Sequence, residues 1–170
     1  MKSKIICCLL ATALLAIPAL LGAQQKAKIP RIGMLITGTA STHKSFIDTF
    51  RRGLRDLGYV EGKNVFIEYR YAEGKRERYP SLAAEMVQLK PDVIVVQSVG
   101  FTEAAKKATS TIPIVVGGAG DLVGTGLVAS LAQPGGNITG LTAVSPDLSG
   151  KRLELLKEAV PKASRVGVLL

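Results

Sequence analysis

The sequence contains no tryptophan, a single histidine and only two cysteines among its 170 residues. One histidine cannot build a histidine-rich metal site, so we expect no metal centre of that kind. Both cysteines, Cys7 and Cys8, lie in an apolar segment at the start of the chain, so the rest of the chain offers neither a disulfide nor thiol chemistry. Neither a Gly-x-Ser-x-Gly nucleophile motif nor a Walker phosphate-binding motif occurs.

The first 23 residues differ from the rest of the chain. Lys2 and Lys4 precede an apolar stretch over 5–21, and Leu-Gly-Ala follows it, ending at Ala23. This pattern predicts a secretory signal peptide over 1–23 and an extracytoplasmic, periplasmic location. A transmembrane anchor is the alternative, but the stretch is short for a spanning helix and contains Pro18. The cysteines do not follow the apolar run, so a lipid anchor is not expected.

Positive charge is spread over the chain rather than concentrated. Without Lys2 and Lys4 the formal net charge of +9 falls by two, to +7. The densest basic run, 75–78, includes Glu77 and has no aromatic residues interleaved with it. We therefore expect a solvated basic surface and no nucleic-acid partner.

Apolar strand-like segments alternate with amphipathic helical segments from Arg31 onward. The predicted strands are 31–36, 65–71, 92–97, 112–118, 137–142 and 165–170, and the predicted helices are 43–57, 79–90, 102–109, 122–131 (weakly) and 149–160. This alternation predicts an α/β fold, a three-layer lobe with a parallel sheet of the flavodoxin-like type. The strand over 65–71 alternates apolar and polar side chains, which favours a place at the sheet edge. The first helix should bury one face, formed by Phe46, Ile47, Phe50, Leu54 and Leu57, and Gly58 should end it as a left-handed cap.

Polar and small residues follow three of the predicted strands, where ligands collect in open α/β sheets. The candidate ligand-binding residues are Thr37, Thr39, Ser41, Thr42 and His43 after the first strand, Gln97, Ser98, Gly100 and Thr102 after the third, and Gly120 and Asp121 after the fourth. Hydroxyls and helix N-termini suit a small polar or carboxylate-bearing ligand. The alternative is that these residues are only caps and turns.

The sequence gives only weak evidence for a catalytic motif or a cofactor-binding motif. Gly118-Ala119-Gly120 lacks the third glycine of a dinucleotide fingerprint, because Val123 stands in its place. His43 opens a predicted helix, where a cap or a ligand contact is favoured over catalysis. We expect no catalytic residue, no cofactor and no metal.

Four stretches resemble one known family. They are "FRRGLRDLGYVEGKNVFIEYRYAEG", "LAAEMVQLKPDVIVV", "KKATSTIPIVVGGAGDLVGTGLVASLAQPGGNITGLT" and "LSGKRLELLKEAVPKASRVGVLL". The chain resembles, from about Arg31 to its last residue, the ABC-transporter substrate-binding proteins, a family that includes tryptophan- and tyrosine-binding members. The resemblance implies a periplasmic-binding-protein fold of two lobes and a cleft, no catalysis, and delivery of a small-molecule solute to an ABC permease in the inner membrane.

The resemblance also implies a division of the chain. We expect an N-terminal ligand-binding lobe over 24–140, a hinge crossing over 141–147, and the start of a truncated second lobe over 148–170. Such a chain should bind its solute weakly or not at all by itself. The helix over 149–160 has one apolar side, formed by Leu153, Leu156 and Val160, which should be exposed or fold back on the first lobe.

This chain departs from the family pattern in the three ligand loops. Family members often have His-Pro, Thr-Pro and Asp-Pro after the first, third and fourth strands, whereas here Lys44 follows His43, Val99-Gly100 replaces Thr-Pro, and Leu122 follows Asp121. Aromatic amino-acid specificity is therefore not carried over, and an amino-acid-like or other small polar solute is expected. The alternatives are the ligand-binding sensor domain of a signalling protein and a small flavodoxin-like enzyme.

Overall fold

A computed structural model of the protein describes residues 28–142 and 148–167. The strands are β1 (Arg31–Ile36), β2 (Phe66–Tyr71), β3 (Val93–Val96), β4 (Ile114–Ala119) and β5 (Ile138–Thr142), and the helices are α1 (Lys44–Asp56), α2 (Tyr79–Gln88), α3 (Val99–Ala108) and α4 (Ser149–Ala159). A short 3-10 helix, Arg76–Arg78, precedes α2. The predicted signal peptide and residues 143–147 of the predicted hinge crossing lie outside the described residues.

The five strands form one sheet in the order β2-β1-β3-β4-β5, and every pairing is parallel. This order confirms the predicted flavodoxin-like α/β lobe and places β2 at an edge, as its alternating pattern predicted. The chain runs from β1 outward to β2 and then returns past β1 to β3. The carboxyl ends of β1 and β3 therefore flank the point where strand order reverses, which is where ligands bind in such sheets.

One face of the sheet is covered by α2 and α3. Side chains from both helices and from β1, β3 and β4 form the larger core cluster, in which Met86, Phe101 and Ile114 are fully buried. The rings of Tyr79 and Phe101 stack with centroids 4.0 Å apart and join the two helices. Gly33 is required beneath α2, because a Cβ there would lie 2.4 Å from the Met86 sulfur.

The opposite face is covered only in part. Helix α1 packs Ile47, with the half-buried Phe46 and Phe50, against buried side chains of β1 and β3. On the far side of this face, Leu141 of β5 is 70% exposed. Among the described residues, no helix covers that part of the sheet.

Three helix predictions are wrong in detail. The helix predicted over 102–109 begins earlier, at Val99. Residues 122–131 form turns instead of the weakly predicted fourth helix. Asp121 accepts a hydrogen bond from the Gly124 N–H at 2.8 Å, but Gly126 then adopts a left-handed φ of +69° and ends the turn. Leu57, expected on the buried face of α1, follows the last helical residue and is 75% exposed, whereas the predicted left-handed cap at Gly58 is confirmed with φ +85°.

At positions 148 and 150–167, after β5, no side chain is buried. Leu153, Leu156 and Val160, predicted to share one side of a helix, are exposed on and just after α4. Residues 165–167, the described part of the strand predicted over 165–170, form no strand pairing. A strand needs a hydrogen-bonded neighbour, and the described residues provide none there.

Candidate functional site

The loop after β1 is closed by its own side chains. The imidazole of His43 lies between two hydroxyls, with Nε2 3.2 Å from Thr37 Oγ1 and Nδ1 3.0 Å from Thr42 Oγ1. Thr42 Oγ1 also accepts the Thr39 N–H at 2.9 Å, and Thr39 Oγ1 lies 2.9 Å from Ser41 Oγ. All five residues predicted here as ligand contacts are therefore brought together in one hydrogen-bonded unit.

The loop after β2 braces this unit from the side. The N–H groups of Glu73 and Gly74 donate to the carbonyls of Gly38 and Thr37, at 3.1 and 2.7 Å. Glu73 adopts an unusual left-handed φ of +58° in doing so, and its carboxylate accepts a hydrogen bond from Arg78 at 2.9 Å. The β1 loop is thus held by backbone hydrogen bonds as well as by its own hydroxyls.

Three of the four candidate residues after β3 help to hold helix α3 in place. Ser98 is the N-cap of α3, and its Oγ accepts the Phe101 N–H at 3.2 Å. Thr102 is fully buried, and its hydroxyl donates to the Ser98 carbonyl at 2.7 Å. Gly100 lies against the Tyr79 ring, 3.0 Å from where a Cβ would stand. Gly100 and Thr102 thus serve the packing and hydrogen bonding of α3, and their roles as ligand contacts stay predictions.

The residues after β4 are organised by Thr142 of β5. Its hydroxyl donates to the Gly120 carbonyl at 2.8 Å and accepts the Leu122 N–H at 3.2 Å. Asp121 uses one carboxylate oxygen, Oδ1, to cap the turn at Gly124. Asp121 is therefore a turn cap at one oxygen, and a ligand contact by this residue stays a prediction.

Gln97 stands apart from these satisfied groups. Its side-chain Nε2 is inaccessible to solvent and has no hydrogen-bond partner among the described residues. Structures rarely leave a buried amide donor unpaired, because its desolvation is then not compensated.

The structure adds residues that the sequence reasoning did not select. Gly118 is the residue left out of the β4–β5 ladder by a bulge, with φ +124°, and both Gly117 and Gly118 are exposed. A Cβ at Gly117 would contact the Phe46 ring at 3.5 Å, and one at Gly120 would contact Val99 at 3.5 Å. The carboxyl ends of β3 and β4 thus meet the first turns of α1 and α3. The glycine pair inside an apolar strand was the available signal.

The charge of these loops is low. Residues 37–43, 97–102 and 117–121 contain no lysine or arginine, and their one carboxylate is that of Asp121. The described residues hold no cluster of three histidine, cysteine or acidic side chains that could bind a metal ion. The pKa shifts lie elsewhere: burial raises the pKa of Tyr69 to about 12, and a hydrogen bond from Lys28 lowers that of Asp92.

A groove of about 710 Å³ lies between α2 and α3 and shares Ser98, Val99 and Gly100 with the edge. Its remaining lining comes from Arg76, from α2 and from later turns of α3. The polar loops themselves form an open surface, because a single sheet edge has no opposite wall to enclose a cavity. We therefore place the candidate site at the carboxyl edge and not in this groove.

No helix in the described part of the chain is long and apolar enough to cross a membrane.

Comparison with known proteins gives a family match over most of the chain. The family model described as "ABC transporter substrate binding protein" matches residues 31–170. A curated relative, the "Tyrosine-binding protein" of Clostridioides difficile, is 40% identical over 121 residues, which cover 71% of this chain and 34% of that protein.

Solved structures agree on the fold. A conserved domain protein from Vibrio cholerae is 34% identical with a TM-score of 0.69, and a ligand-free, open substrate-binding protein with adhesive properties from Clostridium difficile is 30% identical with a TM-score of 0.65. Each comparison covers 79% of this chain and 45% of the other. An ABC domain from Streptococcus pneumonia, solved with L-Trp, is 21% identical with a TM-score of 0.62 over 78% of this chain and 54% of that one, which shows the fold alone. The chain thus spans about a third of the curated relative and under half of the first two solved structures.

Proposed function

Because this chain belongs to the ABC transporter substrate-binding protein family, we propose that it captures a small solute outside the cytoplasm for an ABC importer. In this proposal the described lobe supplies one wall of a cleft, and the solute is then delivered to a permease in the inner membrane. The protein acts by binding and catalyses no reaction.

The observation that carries this proposal is the polar carboxyl edge at the β1/β3 switch point. Hydroxyls and an imidazole of the β1 loop and the carboxamide of Gln97 lie there beside an exposed glycine bulge. Groups of this kind bind small polar molecules through short hydrogen bonds. An open edge is also what one wall of a two-walled cleft looks like when viewed alone, because the enclosing contacts belong to the other wall.

The solute class follows from the charge of the edge and from the curated relative. Loops rich in neutral donors and low in formal charge suit a zwitterionic or uncharged polar molecule better than a highly charged one. The relative of 40% identity is named for tyrosine binding, so L-tyrosine is the first probe. Lys44, Gly100 and Leu122 stand where relatives often have proline, so the proposal extends to any amino-acid-like or other small polar solute.

From the pattern of its first 23 residues, we infer that the protein is exported. Two lysines, an apolar stretch and a small-residue site predict a cleaved signal peptide, which would deliver the mature chain to the periplasm. A protein that meets its solute there needs a membrane permease to complete import.

The test is a ligand screen on residues 24–170 by saturation-transfer NMR, which detects weak binding. The probes are the twenty L-amino acids, beginning with L-tyrosine, and D-glucose. We expect at least one amino acid to bind, with a millimolar Kd, because only one wall of the cleft is present in this lobe. Failure of every amino acid would contradict the amino-acid-like solute, and micromolar affinity would contradict the need for a second wall.

A matched pair of variants locates the binding. Ser41 lies in the β1 loop, whereas Ser110 is an exposed serine after α3, near the opposite edge of the sheet. Ser41→Ala should weaken binding and Ser110→Ala should leave it unchanged. Equal effects would place the binding elsewhere.

A further inference from the structure

We propose that Gln97 determines which solutes the site accepts, by donating a hydrogen bond from its side-chain amide to an oxygen acceptor of the solute. This inference rests on the proposed function and assigns one side chain a specific chemical part in it. Its evidence is the placement of Gln97 in the sheet, its hydrogen bonding, and the charge of its surroundings.

Strand register places Gln97 at the centre of the carboxyl edge. Val96 of β3 pairs with Leu35 of β1 on one side and with Val116 of β4 on the other. Gln97, one residue beyond Val96, is therefore level with Ile36 and Gly117. Its own strand, β3, is one of the two whose carboxyl ends flank the point where strand order reverses and ligands collect.

Alternation along β3 places the Gln97 side chain on the α1 face. Val95, two residues earlier, is buried there together with Ile36 and Ile47, whereas Val96 faces α2 and α3. The Phe46 ring of α1 lies over Gly117 on the same face. The carboxamide thus lies at the edge of an apolar cluster and beneath the first turn of α1.

The structural amides of this chain are bonded differently. Asn137 donates from Nδ2 to the carbonyls of Thr109 and Ile112, at 3.1 and 2.8 Å. Asn64 donates to Gly58 and accepts the Val60 N–H. Both side chains hold loops in place through paired groups. Gln97 has a donor that is bonded to no described residue. That donor is hidden from solvent although the residue is only partly buried, so in our proposal the side chain rotates toward the open edge to reach the solute.

The acceptor on the solute must be an oxygen, such as a carboxylate, a carbonyl or a hydroxyl. An amide N–H repels an ammonium group, and no carboxylate other than that of Asp121 lies in the three loops to balance such a cation. A site whose hydrogen-bond donor has no partner within the protein also discriminates strongly against analogues that lack the acceptor, because the donor is then left buried and unpaired. Gln97 therefore selects for an oxygen at this position of the solute.

The test compares Gln97→Met with the unmutated protein in two measurements on residues 24–170. Methionine has nearly the same shape and removes the unpaired donor, so the ligand-free Tm should rise by about 3–6 °C. Affinity for the amino acid found in the ligand screen should fall roughly tenfold by NMR titration, because one hydrogen bond is lost. Gln88→Met, the same change at an exposed position at the end of α2, should alter neither quantity.

Both measurements can overturn the inference. A lower Tm for Gln97→Met would mean that the amide is satisfied in the unbound protein and has a structural role. Unchanged affinity would mean that the solute does not use the donor. Gln97→Glu provides a second variant that exchanges the donor for an acceptor, and retained binding of a carboxylate-bearing solute by it would also contradict the inference.

Failure of the proposed function is distinguishable from failure of this inference. If the unmutated protein binds no amino acid and no sugar, the proposed function fails. The inference then fails with it, because it rests on that function. If the unmutated protein binds an amino acid and Gln97→Met binds it equally well, the inference fails alone.

Discussion

The two faces of the sheet differ in how completely they are covered. On the α2–α3 face, side chains such as Met86, Phe101 and Ile114 are fully buried beneath two helices that stack against each other. On the α1 face, one helix covers β1 and β3, while Leu141 of β5 stays 70% exposed. The first face is a finished core, and the second combines a smaller core with open surface.

This difference separates stability from binding within one lobe. The finished face contains no buried polar side chain other than Thr102 among the described residues, and that hydroxyl is bonded to Ser98. The unpaired amide of Gln97 lies on the incompletely covered face, at its carboxyl edge. The role that we propose for Gln97 thus keeps a group that costs stability away from the core that holds the lobe together.

The largest expected contrast comes from truncating one apolar side chain on each face. Phe101→Ala should lower the free energy of unfolding by about 3–5 kcal/mol, because it opens a cavity and removes the stack on Tyr79. Leu141→Ala should change it by less than about 0.5 kcal/mol, because that side chain is mostly in solvent. Urea denaturation of both variants measures the difference, and similar losses would show that the α1 face is covered after all.

A backbone change tests the junction of β4 and β5. Gly140 has φ +137°, and a Cβ there would lie 2.2 Å from the Val116 carbonyl oxygen. Gly140→Ala should therefore cost at least about 2 kcal/mol and loosen β5. Gly53→Ala, at an exposed position in α1 with open space around it, should instead stabilise by about 0.5–1 kcal/mol. Urea midpoints compare the two, and a stabilising Gly140→Ala would contradict the described pairing.

A smaller effect should follow from removing a structural amide. Asn137→Ala deletes the donor to Thr109 and Ile112 and should lower the free energy of unfolding by about 1–2 kcal/mol. Gln133→Ala, in the turn before it, serves as the exposed control. Thermal unfolding should show the loss for Asn137 alone, in contrast to the rise expected when Gln97 loses its amide.

The smallest expected effect concerns alkaline pH on the α1 face. Burial, as the main cause, raises the pKa of Tyr69 from 10.0 to about 12, so its neutral form is favoured in the folded state. This contribution to stability is fully present below pH 10 and is lost as pH rises through about 12. Stability measured between these values should fall less steeply in Tyr69→Phe than in the unmutated protein. Equal slopes would show that Tyr69 is not buried against α1.

Much of the lobe was predictable from local pattern. The apolar runs at 31–36 and 92–97 predicted buried parallel strands, and alternation over 65–71 placed β2 at the edge. The prediction of a fourth helix was wrong because Gly124 and Gly126 allow a tight turn at this point of the chain. Hydrophobic periodicity does not reveal such a turn. The prediction that Leu57 is buried was wrong because the helix with its cap at Gly58 ends at Asp56, before Leu57.

The arrangement of the candidate site was predictable in outline but not in detail. Strand order decides which loops meet, and their polar composition marked the edge in advance. The sequence could not distinguish Ser98, which caps α3, from Gln97, whose amide is unpaired. That distinction depends on register between strands far apart in the chain, as does the bulge at Gly118.

The central claim is that the carboxyl edge of the sheet binds the solute. The most direct test is a two-dimensional ¹⁵N NMR titration of residues 24–170 with the amino acid found by the ligand screen. The account predicts that the shifted backbone amides fall in 37–43, 97–98 and 118–121, together with the Gln97 side-chain amide pair, assigned by its absence in Gln97→Met. Shifts confined to the groove between α2 and α3, or to the loops at the opposite edge such as 109–113, would contradict it.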